Sequence, residues 1–390
     1  MKAVVAGHLC LDIRPALDAP PDPGAPLLGS RSLLLVGPAT FSTGGAVANT
    51  GLALHRLGVP VTLVGKLGRD RFGEMVLDRL RRTDPALAED MVTSDAAATS
   101  YSIVLERPGE DPRFLHHPGT NDTFTDADVR DERLAGADLL HFGYPPVMER
   151  MTAGGGARLE ALFRRARAHG LTTSLDMCAV DPAAPAGRVD WPALLERVLP
   201  HVDIFLPSWG ELRFMLLGAG SAGGAEDGGP PDVAALAALA GRCLGWGAAV
   251  VGVKLGARGI YVRTTADRTR LREAGRAAPA IPADWAGRER LVPAFEVAVC
   301  GTTGSGDCAV AGFLAALLRG ESLETATTLA AAAGAASAER ADAVSGLLPW
   351  PALRQRVESG WSRRPVAALP AGWRRDPATG SWRGPADRAV

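Results

Sequence analysis

The sequence lacks the features that mark several large classes of protein. Its 390 residues carry a formal net charge of −1, whereas a nucleic-acid-binding protein needs a basic surface for the phosphates. No apolar segment reaches the length of a membrane span, and no signal-peptide pattern opens the chain. The five cysteines form no C-x-x-C pair, which indicates reduced thiols. These absences predict a cytoplasmic protein with no nucleic-acid and no membrane partner.

Two common chemical signatures are also missing. No G-x-x-x-x-G-K-[ST] loop occurs, so a P-loop nucleotide site is not expected. His116 and His117 are adjacent, and on a strand they would face opposite sides, where they cannot chelate one metal together. A zinc site at this pair is therefore not expected.

The most informative stretch lies between Phe295 and Leu318. The apolar run Phe295–Val299 predicts a strand, the Gly- and Thr-rich residues 300–306 predict a loop, and a mostly apolar helix follows. Glycines let several backbone N–H groups point into one concavity, and the helix start adds unpaired donors and the positive end of its dipole. The pattern predicts a binding site for an anion such as phosphate.

Asp307 follows the glycines of this loop directly. A carboxylate there would repel a phosphate, so a chemical role fits: it could take a proton from a hydroxyl that then attacks phosphorus. The alternative is a helix-capping Asp. The loop alone leaves both interpretations open.

Elsewhere, apolar strand-like runs alternate with helical segments. The predicted strands are Lys2–Gly7, Val61–Val64, Asp138–Phe142, Thr172–Asp176, Val202–Leu206, Ala248–Leu255 and Ile260–Val262. Such alternation predicts βαβ units and a mostly parallel sheet covered by helices. Asp176, Glu211 and Gly256 follow strand ends and should share a sheet edge with Asp307, where several carboxylates could recruit Mg²⁺.

A second, smaller sheet is predicted outside the main one. Its strands are Ser32–Val36, Thr99–Glu106 and Arg113–His117. Near it, Asp12 is a candidate for gripping a polar substrate, with an ordinary turn Asp as the alternative. Gly44 and Gly45 precede a predicted helix from Ala46 to Leu57, so a ligand could approach the backbone closely and meet Asn49 in the first turn. An incidental Asn on a polar face is the alternative for Asn49.

Three segments carry no predicted chemistry. Gly218–Asp232 and Thr265–Arg290 are predicted as solvated surface excursions. The last thirty or so residues are rich in Pro, Arg and Trp, and their tryptophans could pin the tail to the body.

Five motifs, in order, resemble those of the PfkB/ribokinase family of sugar and nucleoside kinases over roughly residues 1–350. They are Gly7 with Asp12; Gly44, Gly45 and Asn49; the Gly-x-x-Gly-x-Asp-x-x-Gly element from Gly65 to Gly73; Gly256 with Gly259; and the Thr-Thr-Gly-Ser-Gly-Asp loop ending at Asp307. The resemblance implies a three-layer α/β/α Rossmann-like body with a small β-sheet lid, whose strands come from about 13–43 and 97–120. Residues 351–390 would form an extension of unknown role.

The resemblance also implies an ATP-dependent carbohydrate kinase that uses Mg²⁺. Asp307 would be the base, and the Gly301–Gly306 loop would form the anion hole. The implied catalytic positions are Asp307, Gly304, Ser305 and Gly306; the implied substrate-binding positions are Asp12, Gly44, Gly45 and Asn49; the implied ATP-binding positions are Lys254, Gly256, Gly259, Thr302, Thr303, Gly304 and Gly306. Glu211 would hold the metal through water.

The chain departs from the family pattern at several positions. Ser208 replaces the Asn of the Asn-x-x-Glu motif, Gly301 replaces an Asp associated with a monovalent cation, and Cys10 replaces an Asn found in ribokinase-like members. Two other functions remain open: a nucleoside kinase, with Phe41 or Phe114 over the base, and a non-catalytic sugar or nucleotide sensor. The open edges of the lid sheet could also pair with a second protomer.

Overall fold

The structure is a computed structural model that describes residues 1–17, 33–106, 113–218, 220, 232–278, 285–367, 369–377 and 379–388. The strands are β1 Ala3–Gly7, β2 Cys10–Pro15, β3 Ala39–Gly44, β4 Val61–Val64, β5 Lys66–Gly68, β6 Val92–Ser94, β7 Tyr101–Leu105, β8 Arg113–His117, β9 Leu139–Gly143, β10 Thr172–Asp176, β11 Ile204–Phe205, β12 Val250–Lys254, β13 Ile260–Thr264, β14 Glu289–Val292, β15 Arg374–Arg375 and β16 Trp382–Arg383. The helices are α1 Ala46–Arg56, α2 Arg71–Thr83, α3 Asp131–Ala135, α4 Glu149–Ala168, α5 Trp191–Val198, α6 Trp209–Leu217, α7 Val233–Gly245, α8 Arg268–Arg272, α9 Ser305–Leu317, α10 Leu323–Ser337 and α11 Trp350–Glu358. Among these residues, no helix combines the length and apolar character that a membrane crossing requires.

The main sheet has ten strands in the described chain, in the order β15-β16-β14-β13-β12-β11-β10-β9-β1-β4. Neighbouring strands from β4 to β12 pair in parallel, and those from β12 to β15 pair antiparallel. Alternate residues of β1 enter different cores, because Ala3 and Val5 pack with α1, α9 and α10, whereas Val4 and Ala6 pack with α4, α5 and α7. Helices therefore cover both faces, as the sequence predicts.

Helix α9 crosses the first of these cores, and most of its side chains are buried. Gly312 allows a close approach to α10, because a Cβ there would lie 2.6 Å from the carbonyl oxygen of Leu329. On its other side α9 packs against α1. This packing fixes the start of α9 at the carboxyl edge of the parallel strands, where open α/β sheets bind ligands.

The second sheet has the order β3-β2-β7-β8 and forms the lid. The predicted strands Thr99–Glu106 and Arg113–His117 correspond to β7 and β8, but the prediction of a strand at Ser32–Val36 is wrong for residues 33–36; Ser32 lies outside the described residues. The third lid strand is instead β3, which pairs with β2 from Cys10↔Gly44 to Pro15↔Ala39. The apolar run 33–36 favours β structure by composition but has no strand partner, and its large side chains are exposed.

Two predictions near the Gly-rich loop also fail. Phe295–Val299 is not a strand; only Phe295 forms an isolated bridge, with Arg363, while Val299 is 56% exposed. The strand before the loop is β14. The segment Thr265–Arg290 is not a solvated excursion throughout, because Trp285 and Arg290 are buried. Most of the predicted surface loop Gly218–Asp232 lies outside the described residues.

The C-terminal residues pack on the body. Strand β16 pairs with β14 and so extends the main sheet. Trp361 stacks on Phe295 with 4.5 Å between ring centroids, and Trp373 lies 6.4 Å from the Tyr261 ring. The tryptophans therefore do pin the tail to the body.

Candidate active site

Asp307 is a buried carboxylate in the first turn of α9, with 2% of its surface exposed. Its Oδ2 atom accepts hydrogen bonds from Asn49 Nδ2 at 3.1 Å and from the Tyr144 hydroxyl at 2.7 Å. Its Oδ1 atom accepts one from Thr50 Oγ1 at 3.0 Å. The helix cap is Gly304, without a side-chain cap bond, so Asp307 is not the capping residue. Three donors from two other elements fix the orientation of this carboxylate.

The loop before α9 presents free amide groups. Gly304 has a φ of 75°, in the left-handed region, and a Cβ there would lie 2.4 Å from the Cβ of Ala343. Within the described chain, the backbone N–H groups of Gly304, Gly306 and Asp307 donate no hydrogen bond to a protein acceptor. They lie at the positive end of the α9 dipole, so the concavity at this helix start is a candidate anion site.

Lys254 brings a positive charge to this concavity. A Cβ at Gly306 would lie 3.6 Å from Lys254 Nζ, and this Nζ donates to Asp176 Oδ1 at 2.6 Å. Burial favours the neutral amine, but the Asp176 and Glu211 carboxylates outweigh it and raise the pKa of Lys254. We therefore expect an ammonium beside the start of α9.

Glu211 and Ser208 form a capping box at the start of α6. Glu211 Oε2 accepts from the Ser208 amide at 2.6 Å, and Ser208 Oγ accepts from the Glu211 amide at 3.3 Å. The Glu211 charge acts on both Asp176 and Lys254, so it belongs to the same polar edge. The departure from Asn to Ser at position 208 thus preserves a helix cap.

Asp12 lies in the lid strand β2 and not in a turn. Cys10 Sγ donates to Asp12 Oδ1 at 3.3 Å, and burial raises the pKa of Asp12 to about 6. A Cβ at Gly44 would lie 2.4 Å from both Asp12 carboxylate oxygens, so glycine makes room for them. Gly44 is followed by Gly45, whose carbonyl oxygen accepts from the Asn49 amide at 2.8 Å, so Asp12 lies close to the turn that holds Asn49 against Asp307.

Two histidines join the lid to the body beside this turn. His8 Nε2 lies 3.3 Å from His116 Nε2, and His116 Nδ1 lies 3.0 Å from Ser102 Oγ. Burial, followed by the charge of His116, lowers the pKa of His8, and burial lowers that of His116 to about 4. We therefore expect both rings to be neutral near pH 7, so that one Nε2 donates to the other. The wall they form is polar but uncharged.

The glycines and Asn49 of the predicted substrate site surround the same space. Gly45 has a φ of 87°, and a Cβ there would lie 2.4 Å from His8 Nδ1. Asn49 is 5% exposed, and its amide is engaged with Asp307. The structure thus brings Gly44, Gly45 and Asn49 together with Asp12 and Asp307.

Gly256 and Gly259 form the turn between β12 and β13. Their φ angles are 56° and 102°, and the Leu255 amide donates to the Gly259 carbonyl at 2.8 Å. A Cβ at Gly259 would lie 2.0 Å from the carbonyl oxygen of Val292. The turn follows Lys254 directly, at the edge that carries the free amides.

Tyr144 is a site residue that the sequence analysis missed. It follows β9 at the same sheet edge, and its hydroxyl donates to Asp307. The sequence did carry a signal for it, because Tyr144 lies between the end of a predicted strand and two prolines, Pro145 and Pro146, where open α/β sheets place ligand-binding groups.

Phe41 and Phe114, the candidates for stacking on a nucleoside base, do not share one face of the lid. Phe41 pairs with Ile13, next to Asp12, so strand alternation puts it on the face opposite Asp12. Phe114 is two residues from His116 and on the same face, although 51% exposed.

A sheet covered by helices on both faces, a lid, and a buried carboxylate beside free amides at a helix start are together typical of a small-molecule kinase of the α/β/α type. A sequence model for the pfkB family of carbohydrate kinases matches residues 25–351, so the chain belongs to this family and is a carbohydrate kinase.

Comparisons with individual proteins agree with this assignment. An uncharacterized sugar kinase from Archaeoglobus fulgidus is 24% identical over 299 residues, which are 76% of this chain and 98% of the relative. Rice fructokinase-1 is 35% identical over 103 residues, but the match spans only 26% of this chain and 31% of the fructokinase.

Solved structures share the fold. Fructokinase with bound ATP from Xylella fastidiosa has a TM-score of 0.67 at 22% identity, with 92% of this chain and 98% of that one covered. For the nucleoside kinase of Methanocaldococcus jannaschii the TM-score is 0.62 at 18% identity, with 92% and 98% covered. The fold is thus common to sugar and nucleoside kinases.

Proposed function

We propose that this chain transfers the γ-phosphoryl group of ATP to a hydroxyl group of a sugar or sugar-like molecule. The observation that carries the proposal is the position of Asp307, buried beside free amides at the start of α9 and hydrogen-bonded to Asn49, next to the glycine turn that adjoins Asp12. An anion site and a proton acceptor stand side by side there. Phosphoryl transfer to an alcohol needs this combination.

Asp307 would act as the general base. The acceptor hydroxyl would give its proton to the carboxylate while its oxygen attacks the γ-phosphorus, and the bond to the bridging oxygen of ADP would break. The hydrogen bonds from Asn49, Thr50 and Tyr144 hold the carboxylate in one orientation. Such positioning is the main contribution a protein makes to this reaction.

The Gly301–Gly306 loop would cradle the transferred phosphoryl group. The amides of Gly304 and Gly306 and the ammonium of Lys254 face one concavity, so they can neutralise charge that spreads over the equatorial oxygens. Lys254, Thr302, Thr303 and the turn at Gly256 and Gly259 would contact the nucleotide. Lys254 would thus neutralise phosphate charge, which is the role of the conserved lysine in P-loop proteins.

The residues at the carboxyl edge fit Mg²⁺ held together with a nucleotide. Asp176 Oδ2 is buried and accepts no hydrogen bond from the described residues. Among those residues, no cluster of three or more His, Cys, Asp or Glu side chains could hold a metal by itself. Mg²⁺ is commonly held by one or two carboxylates with phosphate oxygens and water, so Asp176 and Glu211, the latter through water, are the candidate holders. When bound, the ion would neutralise phosphate charge.

The acceptor would lie against Asp12, Gly44, Gly45 and Asn49. Asp12 can accept hydrogen bonds from two sugar hydroxyls, and Gly45 leaves its backbone open to close approach. The neutral His8–His116 wall gives no cation for a carboxylate or phosphate on the acceptor.

A coupled ATP-to-ADP assay over pentoses, hexoses, sugar acids and nucleosides, with and without potassium, tests the proposal. Asp307→Asn should fold normally and lose about 10²–10⁴-fold in kcat, the usual contribution of a positioned base. Asp95→Asn, in which the side chain is 79% exposed, is the matched control and should keep full activity. Near-wild-type turnover by Asp307→Asn would remove this residue from the mechanism, and ATP use without any acceptor turnover would favour a sensor.

The lid also offers a surface for a second protomer in the cytoplasm, where we expect the enzyme to work. Strands β3 and β8 are the lid edges, and Phe41, Phe114 and Leu115 are 38%, 51% and 49% exposed. Open edges with apolar side chains favour pairing. Sedimentation of the wild type and of Phe114→Glu tests for a dimer: a monomeric wild type would refute it.

A further inference from the structure

Tyr144 has an unusual backbone conformation at a functional position. Its φ and ψ are 68° and 42°, and among the described residues it is the only non-glycine residue with a positive φ. Its amide donates to the carbonyl oxygen of Asp176 at 3.2 Å, which helps to hold this conformation. Bulky residues adopt the left-handed region at a cost, and such strain concentrates at sites where it serves a mechanism.

The hydroxyl of Tyr144 occupies a proton-accepting position of the proposed base. Each carboxylate oxygen offers about two acceptor positions. Those of Asp307 Oδ2 are filled by Asn49 at 3.1 Å and by Tyr144 at 2.7 Å, the shorter bond. Oδ1 accepts from Thr50, which is fully buried in α1, so we take Oδ2 as the oxygen that faces the acceptor. A hydroxyl group that gives its proton to Oδ2 has to replace one of its two donors.

Tyr144 reaches Asp307 from the pocket side. Its ring lies 6.0 Å from the ring of His8, which in turn contacts His116 of the lid. Asn49 comes from α1, which packs directly against α9. Both donors on Oδ2 border the proposed acceptor site, and Tyr144 is the one whose ring lies against the His8–His116 wall.

We propose that Tyr144 is a placeholder, whose hydroxyl keeps the acceptor-hydroxyl position on Asp307 filled until the acceptor displaces it. The inference rests on the proposed function. Burial, reinforced by the Asp307 charge, raises the pKa of Tyr144, so the phenol stays protonated and serves as a donor.

Protection of ATP is the functional consequence. A water molecule on Asp307 Oδ2 could lose its proton to the carboxylate while its oxygen attacks the γ-phosphorus, and the bond to the bridging oxygen would break to give ADP and phosphate. The phenol hydroxyl denies water this position. The acceptor, which makes additional contacts with Asp12 and its neighbours, can compete for it.

Tyr144→Phe tests this inference, because phenylalanine keeps the ring but loses the hydroxyl. With ATP and Mg²⁺ alone, ADP formation should rise at least threefold over the wild type, and the rise should vanish in Asp307→Asn/Tyr144→Phe. For the acceptor that the wild type uses best, KM should fall by about tenfold, since no charge-assisted hydrogen bond has to be displaced, with kcat within about threefold. Tyr261→Phe is the matched control, because the buried Tyr261 hydroxyl donates to Glu289 at the same 2.7 Å, away from the site.

The outcomes separate the two proposals. Unchanged ADP formation without acceptor overturns the placeholder role, and so does a fall in kcat with KM unchanged, which would make Tyr144 a support for the base. Wild-type enzyme that phosphorylates no acceptor in the panel counts against the proposed function instead. The acceptor-free measurement on folded Tyr144→Phe gives a result in either case.

Discussion

Asp387→Ala should strongly lower the stability of the fold without changing the catalytic activity. Asp387 lies near the end of the chain, yet its carboxylate is only 3% exposed and pairs with the Arg290 guanidinium, which is 1% exposed. Its Oδ2 atom also accepts from the Glu289 amide at 3.1 Å. Alanine would leave a buried guanidinium without its nearest counter-charge.

The size of the effect follows from that burial. Removal of one partner from a buried ion pair costs about 3–5 kcal/mol, because the remaining charge is taken out of water without compensation. Replacement of both partners by apolar residues of similar size is often neutral or stabilising. We therefore expect Asp387→Ala to lower the free energy of unfolding by about 3–5 kcal/mol. Arg290→Met/Asp387→Leu should recover only part of it, because Arg288, whose Nε lies 3.3 Å from Asp387 Oδ1, still loses this ion pair.

Guanidinium-induced unfolding followed by fluorescence gives both free energies, and activity at 25 °C gives the functional control. The pair bridges β14 and the tail at one end of the main sheet, whereas Asp307 lies near β9 and β10, so kcat should stay within about twofold of the wild type. A loss below about 1 kcal/mol would contradict the assigned burial, since that is the range of exposed pairs.

Three further predictions concern the site. The kcat/KM for the acceptor should fall as the pH drops below about 6, because burial raises the pKa of Asp12 to about 6 and the protonated acid loses acceptor capacity for hydroxyls on one oxygen; a flat profile from pH 8 to pH 5 would contradict this. Gly45→Ala should raise the acceptor KM more than tenfold, because Gly45 has a φ of 87° and the new Cβ would lie 2.4 Å from His8 Nδ1. Gly210→Ala is the control and should leave KM unchanged, because no atom lies within 4 Å of its new Cβ. Lys254→Met should raise the KM for ATP by about 10–100-fold, because it removes one charge-assisted hydrogen bond to the nucleotide. It should also lower thermal stability by leaving the buried Asp176 carboxylate without its ion pair, and Asp176→Asn in the same protein should restore the stability but not the affinity for ATP.

The alternation of buried strands and helices was readable from the sequence because each parallel strand is covered on both faces. Val61–Val64 is a continuous apolar or β-branched run, and Thr172–Asp176 begins with two β-branched threonines; both lie between loop signals, and their bounds agree with the structure. Phe295–Val299 looks similar in composition. Its failure shows that an apolar run becomes a strand only where a partner strand is available, and here β14 already ends at Val292.

The site was partly predictable for a related reason. Gly304 and Asp307 sit in a local pattern whose chemistry depends on neighbouring residues, so their spacing is informative. Tyr144 depends on one backbone angle and on a contact across 163 residues, neither of which a periodic pattern reports. The tail strands β15 and β16 have two residues each, too short for alternation to register.

The contacts between lid and body explain how one pocket can both admit an acceptor and exclude water. Asp12 and His116 come from the lid, and Asp307 comes from the body. The bond between His8 and His116, and that from Arg14 to the carbonyl oxygen of Ala341 at 2.8 Å, hold the two parts together beside Asp307, which is 2% exposed. The lid also packs apolar side chains on the body, because Leu11 is fully buried in the core that contains α1 and α9, and the Tyr101 ring lies 5.5 Å from the Phe72 ring of α2. Opening of the lid would expose part of this apolar surface and break the polar wall of the site, so we expect the proposed chemistry to proceed only when the lid is closed and bulk water is excluded.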